Sequence, residues 1–214
     1  MLVGAGNTWL RMAHVALLAG VLTGCSEAAE GDGSKASARP SATAETSGPK
    51  DTAATTAATS GGTVGAAGSA CELPVTFDIA KSWKAEAVEA PLRQGPVSLA
   101  CEIDAKPAGN IGFLRVWAGT SGDADTRAVL EAFVAAEDGV TKEKYRTFTS
   151  GGVSGVEVAY LYSSELLEET KKESAFAVTT ADGPVVVHLG GLDTEEHEEM
   201  LPAYELARRT LRTA

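Results

Sequence analysis

Val97-Ser98-Leu99-Ala100-Cys101-Glu102-Ile103-Asp104 alternates apolar and polar residues without a break. A period of two marks a strand with one face on a core and the other toward solvent. Pro107-Ala108-Gly109-Asn110 turns the chain, and Ile111 to Trp117 forms a second, more apolar strand. So short a turn makes the two an antiparallel hairpin, with the more apolar member nearer the sheet centre. Upstream, Val75-Thr76-Phe77-Asp78-Ile79 repeats the alternation, and Trp83 is expected to lid the core.

Downstream the period changes. Val129, Leu130, Phe133 and Val134 form an apolar stripe at helical spacing, with Asp123 or Asp125 as the cap and Asp138-Gly139 as the stop. Four more strands are predicted: Lys144 to Thr149, Val156 to Tyr162, Ser174 to Thr180 and Val185 to Leu189. Ser150-Gly151-Gly152 and Ala181-Asp182-Gly183-Pro184 are the turns between them, and Gly190-Gly191 closes the sheet. The last helix places Glu195, Glu196, Glu198 and Glu199 at its start and Arg208, Arg209 and Arg212 at its end, which suits the helix dipole. Met200, Leu201, Tyr204, Ala207 and Leu211 form its inner face. Pro202 either kinks this helix or sits in its first turn. Strands, helix, strands and helix with short turns describe an α+β domain: a mostly antiparallel sheet with helices packed on it. It is expected over residues 71–214 as a single globular domain.

The chain before this domain has a different composition. Ala, Ser, Thr and Gly make up 34 of the 45 residues from 26 to 70, and Val64 is the only large aliphatic among them. Such a segment buries too little apolar surface to offset its ordering entropy, so residues 25–70 are read as a disordered linker. Its typical span would be ~40 Å. Ahead of it, Arg11 and the amino terminus precede the uncharged run Val15-Ala16-Leu17-Leu18-Ala19-Gly20-Val21-Leu22. A charged start, a short apolar core and small residues at its end describe an export signal, over residues 1–24. The run is too short to span a bilayer, which takes ~20 apolar residues.

Leu22-Thr23-Gly24-Cys25, directly after that apolar core, resembles the bacterial lipobox. The resemblance implies cleavage before Cys25, a diacylglyceryl group on its thiol and acylation of its new amine. Two or more chains satisfy the requirement for stable anchoring. The expected location is the extracytoplasmic face of the cell membrane, held through lipidated Cys25. With Cys25 taken by lipid, Cys71 and Cys101 remain as a pair and are expected to form a disulfide. The chain-entropy model gives about 3–4 kcal/mol for a loop of this length.

Charge excludes some partners. The net charge is −11, and from residue 71 onward 24 acidic residues face 14 basic ones. Nucleic acid and anionic head groups repel such a domain, and aromatics interleaved with basic residues are missing, so no nucleic-acid partner is expected. Motifs of catalysis are incomplete. Gly152-Val153-Ser154-Gly155 lacks the spacing of a nucleophile elbow, and His197-Glu198-Glu199-Met200-Leu201 lacks the second histidine of a zinc protease helix. Asp123-Ala124-Asp125 lacks the glycine and terminal glutamate of a calcium loop. Glu165, Glu168, Glu169 and Glu173 recur at helical spacing, as a solvated face or a site would. His188, in an apolar strand, reads as a structural histidine, and His197, inside the acidic run, as a solvated one. No catalytic residue, metal ligand or cofactor is assigned.

The strand-turn-Trp83 opening, the central helix and the terminal helix ending Tyr204-Glu205-Leu206-Ala207-Arg208-Arg209-Thr210-Leu211-Arg212 are together similar to the PsbP-like α/β/α sandwich. Small lipoproteins of actinobacterial type carry such domains. The resemblance implies a binding or assembly-accessory module of the cell envelope, not an enzyme, whose partner is an envelope protein or small ligand. A structural surface lipoprotein and an envelope hydrolase with a carboxylate site are the alternatives.

Overall fold

The computed structural model describes residues 58–120, 123–164 and 169–214, and the statements below concern these. The lipobox, Cys25 and residues 1–57 lie outside them. The expected hairpin is formed by β5 (Val97–Asp104) and β6 (Phe113–Ala118), paired antiparallel with Cys101 opposite Val116. Strand β5 buries every second residue, Val97, Leu99, Cys101 and Ile103. Upstream in sequence lie β2 (Val75–Ala80) and the short strands β3 (Lys84–Ala87) and β4 (Arg93–Gln94), of which β3 and β4 pair with β5.

After β6 come helix α1 (Thr126–Val134) and four long strands, β7 (Val140–Ser150), β8 (Val153–Ser163), β9 (Thr170–Thr180) and β10 (Gly183–Gly190). Their turns are those expected. Gly151 and Gly152 adopt φ of 54° and 82°, the left-handed conformation a two-residue hairpin turn requires. The main sheet runs β3-β5-β6-β10-β9-β8-β7, all antiparallel, with β4 pairing β5. Strand β7 is the edge beyond β8; none of its residues is fully buried, and it bulges between Thr141 and Lys144.

Helix α1 covers one face. Asp125 is its cap, with the carboxylate accepting from the Ala128 amide at 2.8 Å. The expected stripe of Val129, Leu130, Phe133 and Val134 is buried against Leu99, Trp117, Val158 and Val186. Helix α2 (Thr194–Thr210) covers the opposite face. Met200, Tyr204, Ala207 and Leu211 are buried there with Phe176, Val185 and Leu189, while Leu201 is half-buried. Pro202 lies inside α2, so the helix begins before it and the acidic run is its first two turns.

The domain boundary needs correction. Ser60–Val64 forms β1, pairs antiparallel with β2 and buries Val64 opposite Phe77. Beyond α2, β11 (Arg212–Thr213) pairs with the other edge of β2 to give a second sheet, β1-β2-β11. The domain thus begins at least as early as residue 58, not at Cys71. Its first strand is Ser-Gly-Gly-Thr-Val, four exposed residues and one anchor, which is why composition alone reads as linker.

Cys71 and Cys101 form a disulfide, with Cα atoms 5.9 Å apart. Both are buried, so the bridge ties the segment between β1 and β2 to the centre of β5. Replacing both cysteines by serine should lower unfolding stability by about 2–5 kcal/mol, read as a reduced midpoint in chemical denaturation.

Candidate functional site

Strands β8, β9 and β10 continue past the C-terminal end of α1. On that face they carry polar side chains where the helix no longer supplies a cover. Tyr160 of β8 lies directly opposite Glu173 of β9, and His188 of β10 packs its ring edge-on against Phe133 at 5.7 Å. Glu137, just after α1, closes the group. The Tyr160 hydroxyl is 3.0 Å from Glu173 Oε2, 3.2 Å from His188 Nε2 and 3.1 Å from Glu137 Oε2. His188 Nε2 is 2.9 Å from Glu173 Oε2. The Lys171 ammonium donates to Glu173 Oε1 at 2.8 Å and to the Gly191 carbonyl at 2.6 Å. Tyr160, Glu173 and His188 are all buried.

The electrostatics follow from this packing. Burial pushes the Glu173 carboxyl up, but the His188 imidazole and the Lys171 ammonium more than reverse it and leave it at about 2. Burial, with the carboxylates of Glu173 and Glu137 beside it, holds the Tyr160 phenol well above its ordinary value. Near neutral pH the cluster therefore contains an ionised carboxylate and a protonated phenol. General acid–base catalysis needs a group that titrates near the working pH. Glu173 is too weak a base and Tyr160 too weak an acid for that role.

The opposite face carries a second polar group. Glu157 of β8 is buried and accepts from Arg146 Nε at 2.8 Å, with Arg208 Nε at 3.7 Å. Arg208 also pairs with Glu205, one helical turn away. The buried Tyr204 hydroxyl faces this group without an ordinary hydrogen bond. Beside it a groove of about 840 Å³ runs between α2 and the β7–β8 hairpin. Lys142, Lys144, Arg146, Leu161, His197 and Leu201 are among its lining residues. Among the described residues Lys142 and Lys144 make no ion pair, whereas the acids that also line the groove, Glu157, Glu173, Glu198 and Glu205, are all paired.

His188 has the structural partners expected of it. His197 does not fit its expectation. It is only 3% exposed, on the inner face of α2 with Nε2 3.3 Å from the Ser174 hydroxyl and Nδ1 unpartnered. Helical phase turns it inward from an acidic run that is itself engaged. Glu196 accepts backbone N–H groups of Ile111, Gly112 and Leu192, Glu198 pairs with Lys172, and Glu199 accepts from Asn110. The four glutamates at helical spacing do not share a helix. Glu173 lies in β9, and Glu165 and Glu168 lie outside the described residues. Glu157 and Tyr160 carried no motif. The available signal was a carboxylate in Val156-Glu157-Val158, within a strand that is apolar on both sides of it and so demands a partner.

Burial pushes the His197 imidazole down to about 4, against the attraction of the Glu173 carboxylate. An imidazole kept neutral when folded, but free to take a proton when unfolded, makes stability fall as pH drops from about 6.5 to about 4. Glu173 adds a further loss between about 4.5 and about 2, where the unfolded chain takes up the proton first. Each full window corresponds to on the order of 3 kcal/mol. Denaturant unfolding measured from pH 7 to pH 3 should show both losses, and His197→Gln should flatten the upper one.

Among the described residues no helix is long and apolar enough to cross a membrane. No curated protein matches the sequence. Among solved structures, the domain is similar to the solution structure of cyanobacterial PsbP (CyanoP) from Synechocystis, with a TM-score of 0.48 and 9% identity over 66% of this chain and 87% of that one. A family model described as "uncharacterised lipoprotein" matches residues 41–211, which take in every strand of the main sheet and both helices. The chain belongs to that family of uncharacterised lipoproteins.

Proposed function

We propose that this protein is a lipid-anchored, non-catalytic binding or assembly-accessory module on the extracytoplasmic face of the cell membrane. Cys25 carries the lipid, the Ala/Ser/Thr/Gly-rich stretch after it is the linker, and the folded domain presents the binding surface. Its order of elements, with helices on both faces of one antiparallel sheet, supports the reading of a PsbP-like module. Membership of a lipoprotein family and the lipobox at Leu22-Thr23-Gly24-Cys25 support the anchor.

The observation that carries the non-catalytic part is the mismatch within the buried cluster. Glu173 is held ionised and Tyr160 protonated by their surroundings, which favours a scaffold role for these two over proton transfer. The groove between α2 and the β7–β8 hairpin is the surface a partner would use. Its apolar floor at Leu161 and Leu201, under unpaired Lys142 and Lys144, suits an envelope protein or small ligand that offers an acidic group beside an apolar one.

Crosslinked co-purification of the full chain from membranes tests this. A stoichiometric partner is expected. It should be lost when Cys25→Ala releases the protein to the soluble fraction, and weakened by Lys142→Glu with Lys144→Glu in the anchored protein. Retention of the Cys25→Ala chain on membranes would refute the anchor. Capture unchanged by the lysine replacements would refute the groove.

A further inference from the structure

The α1-face cluster brings together donors of the kind that hold a metal. One ligating atom each from Glu137, Glu173 and His188 lies within 4.8 Å of the other two. They come from three separate segments: the residue after α1, β9 and β10. We infer that Glu137, Glu173 and His188 form a binding site for a divalent transition-metal ion such as Zn²⁺, held by His188 Nε2, Glu173 Oε2 and a carboxylate oxygen of Glu137.

The donor set selects the class of ion. One imidazole nitrogen with two carboxylate oxygens suits Zn²⁺ or its first-row neighbours, and suits poorly the hard ions that seek oxygen alone. The surroundings are those of a supported site. Lys171 occupies Glu173 Oε1 and leaves Oε2 directed at His188. Phe133 holds the imidazole ring from one side. The Tyr160 hydroxyl contacts all three proposed ligands and can donate to a coordinating carboxylate.

Access is the independent observation. A cavity of about 370 Å³ reaches Glu137, Glu173 and His188 from the surface. Gly190 lies on its wall. A Cβ there would come 3.4 Å from His188 Cε1 and 3.9 Å from Glu173 Oε1. Gly190 is not among the glycines with positive φ, so its backbone does not require glycine. The missing side chain leaves the paired ligands open to the cavity.

A competing account is a closed hydrogen-bond network. The phenol and imidazole protons suffice for two carboxylates, and no ion is needed. Zn²⁺ titration by calorimetry separates the two, using the full chain in detergent after chelator treatment and dialysis, near pH 7.5. One site per chain is expected. Its affinity should fall at least tenfold in Glu137→Gln, whose half-buried position tolerates the change, and should be unaltered in Glu143→Gln on the exposed edge strand. X-ray absorption of the loaded protein should show one imidazole among ligands at roughly 2.0–2.2 Å. No uptake, or equal affinity in the wild type and Glu137→Gln, overturns the site. So does a bound ion without an imidazole ligand.

Discussion

Strands β9 and β10 are buried on both faces, and every other element is placed by that. From Ser174 to Val178 and from Val185 to Leu189 no side chain reaches solvent, so the sheet must be covered twice. Burying a Val, Leu or Phe contributes about 1.5–3 kcal/mol, and the benefit is lost if either cover is absent. Helix α1 supplies one cover with four buried side chains. Helix α2 supplies the other, assisted by the small β1-β2-β11 sheet, whose Phe77 and Val75 join the same core. Because α1 has only nine residues, its cover stops short of the strand ends. The buried polar cluster fills the remainder.

Charge is admitted to this interior under strict terms. Glu157 and Glu173 are each about 4% exposed, and each meets at least two cationic or hydrogen-bonding partners. Burying such a group without partners costs several kcal/mol, and paired burial yields little net stability. The arrangement instead fixes geometry. A sheet whose strands are held by apolar contact alone can slip by two residues and still present an apolar face. A strand that must also bring Glu173 to His188 and Lys171 has one register.

Much of the architecture was legible because local and global signals agree. Strict alternation in β5, the stripe of α1 and the Gly-Gly turn after β7 each reflect one backbone period or one permitted dihedral, so they need no knowledge of distant neighbours. The cysteine pair was legible by elimination. The polar cluster was not, because its members are separated in sequence and meet only through strand pairing. His197 differs for a related reason: its neighbours in sequence are acidic, but α2 turns it inward to Ser174 on the sheet. β1 was missed because a strand of Ser, Gly and Thr is held by its backbone ladder, which composition does not record. Lys142 and Lys144 stand together in one groove of a domain of net negative charge, and net charge is silent on where the minority charges gather.

The bulged outer strand β7 has a consequence for crowding. Eleven residues of open backbone at a sheet edge are a template on which another chain could grow a continuous sheet. Here the edge carries the unpaired Lys142 and Lys144, and a bulge interrupts its register between Thr141 and Lys144. A second copy approaching edge to edge would place like charges against each other and find its ladder broken after a few rungs. This edge is thus poorly suited to sheet growth by a second copy.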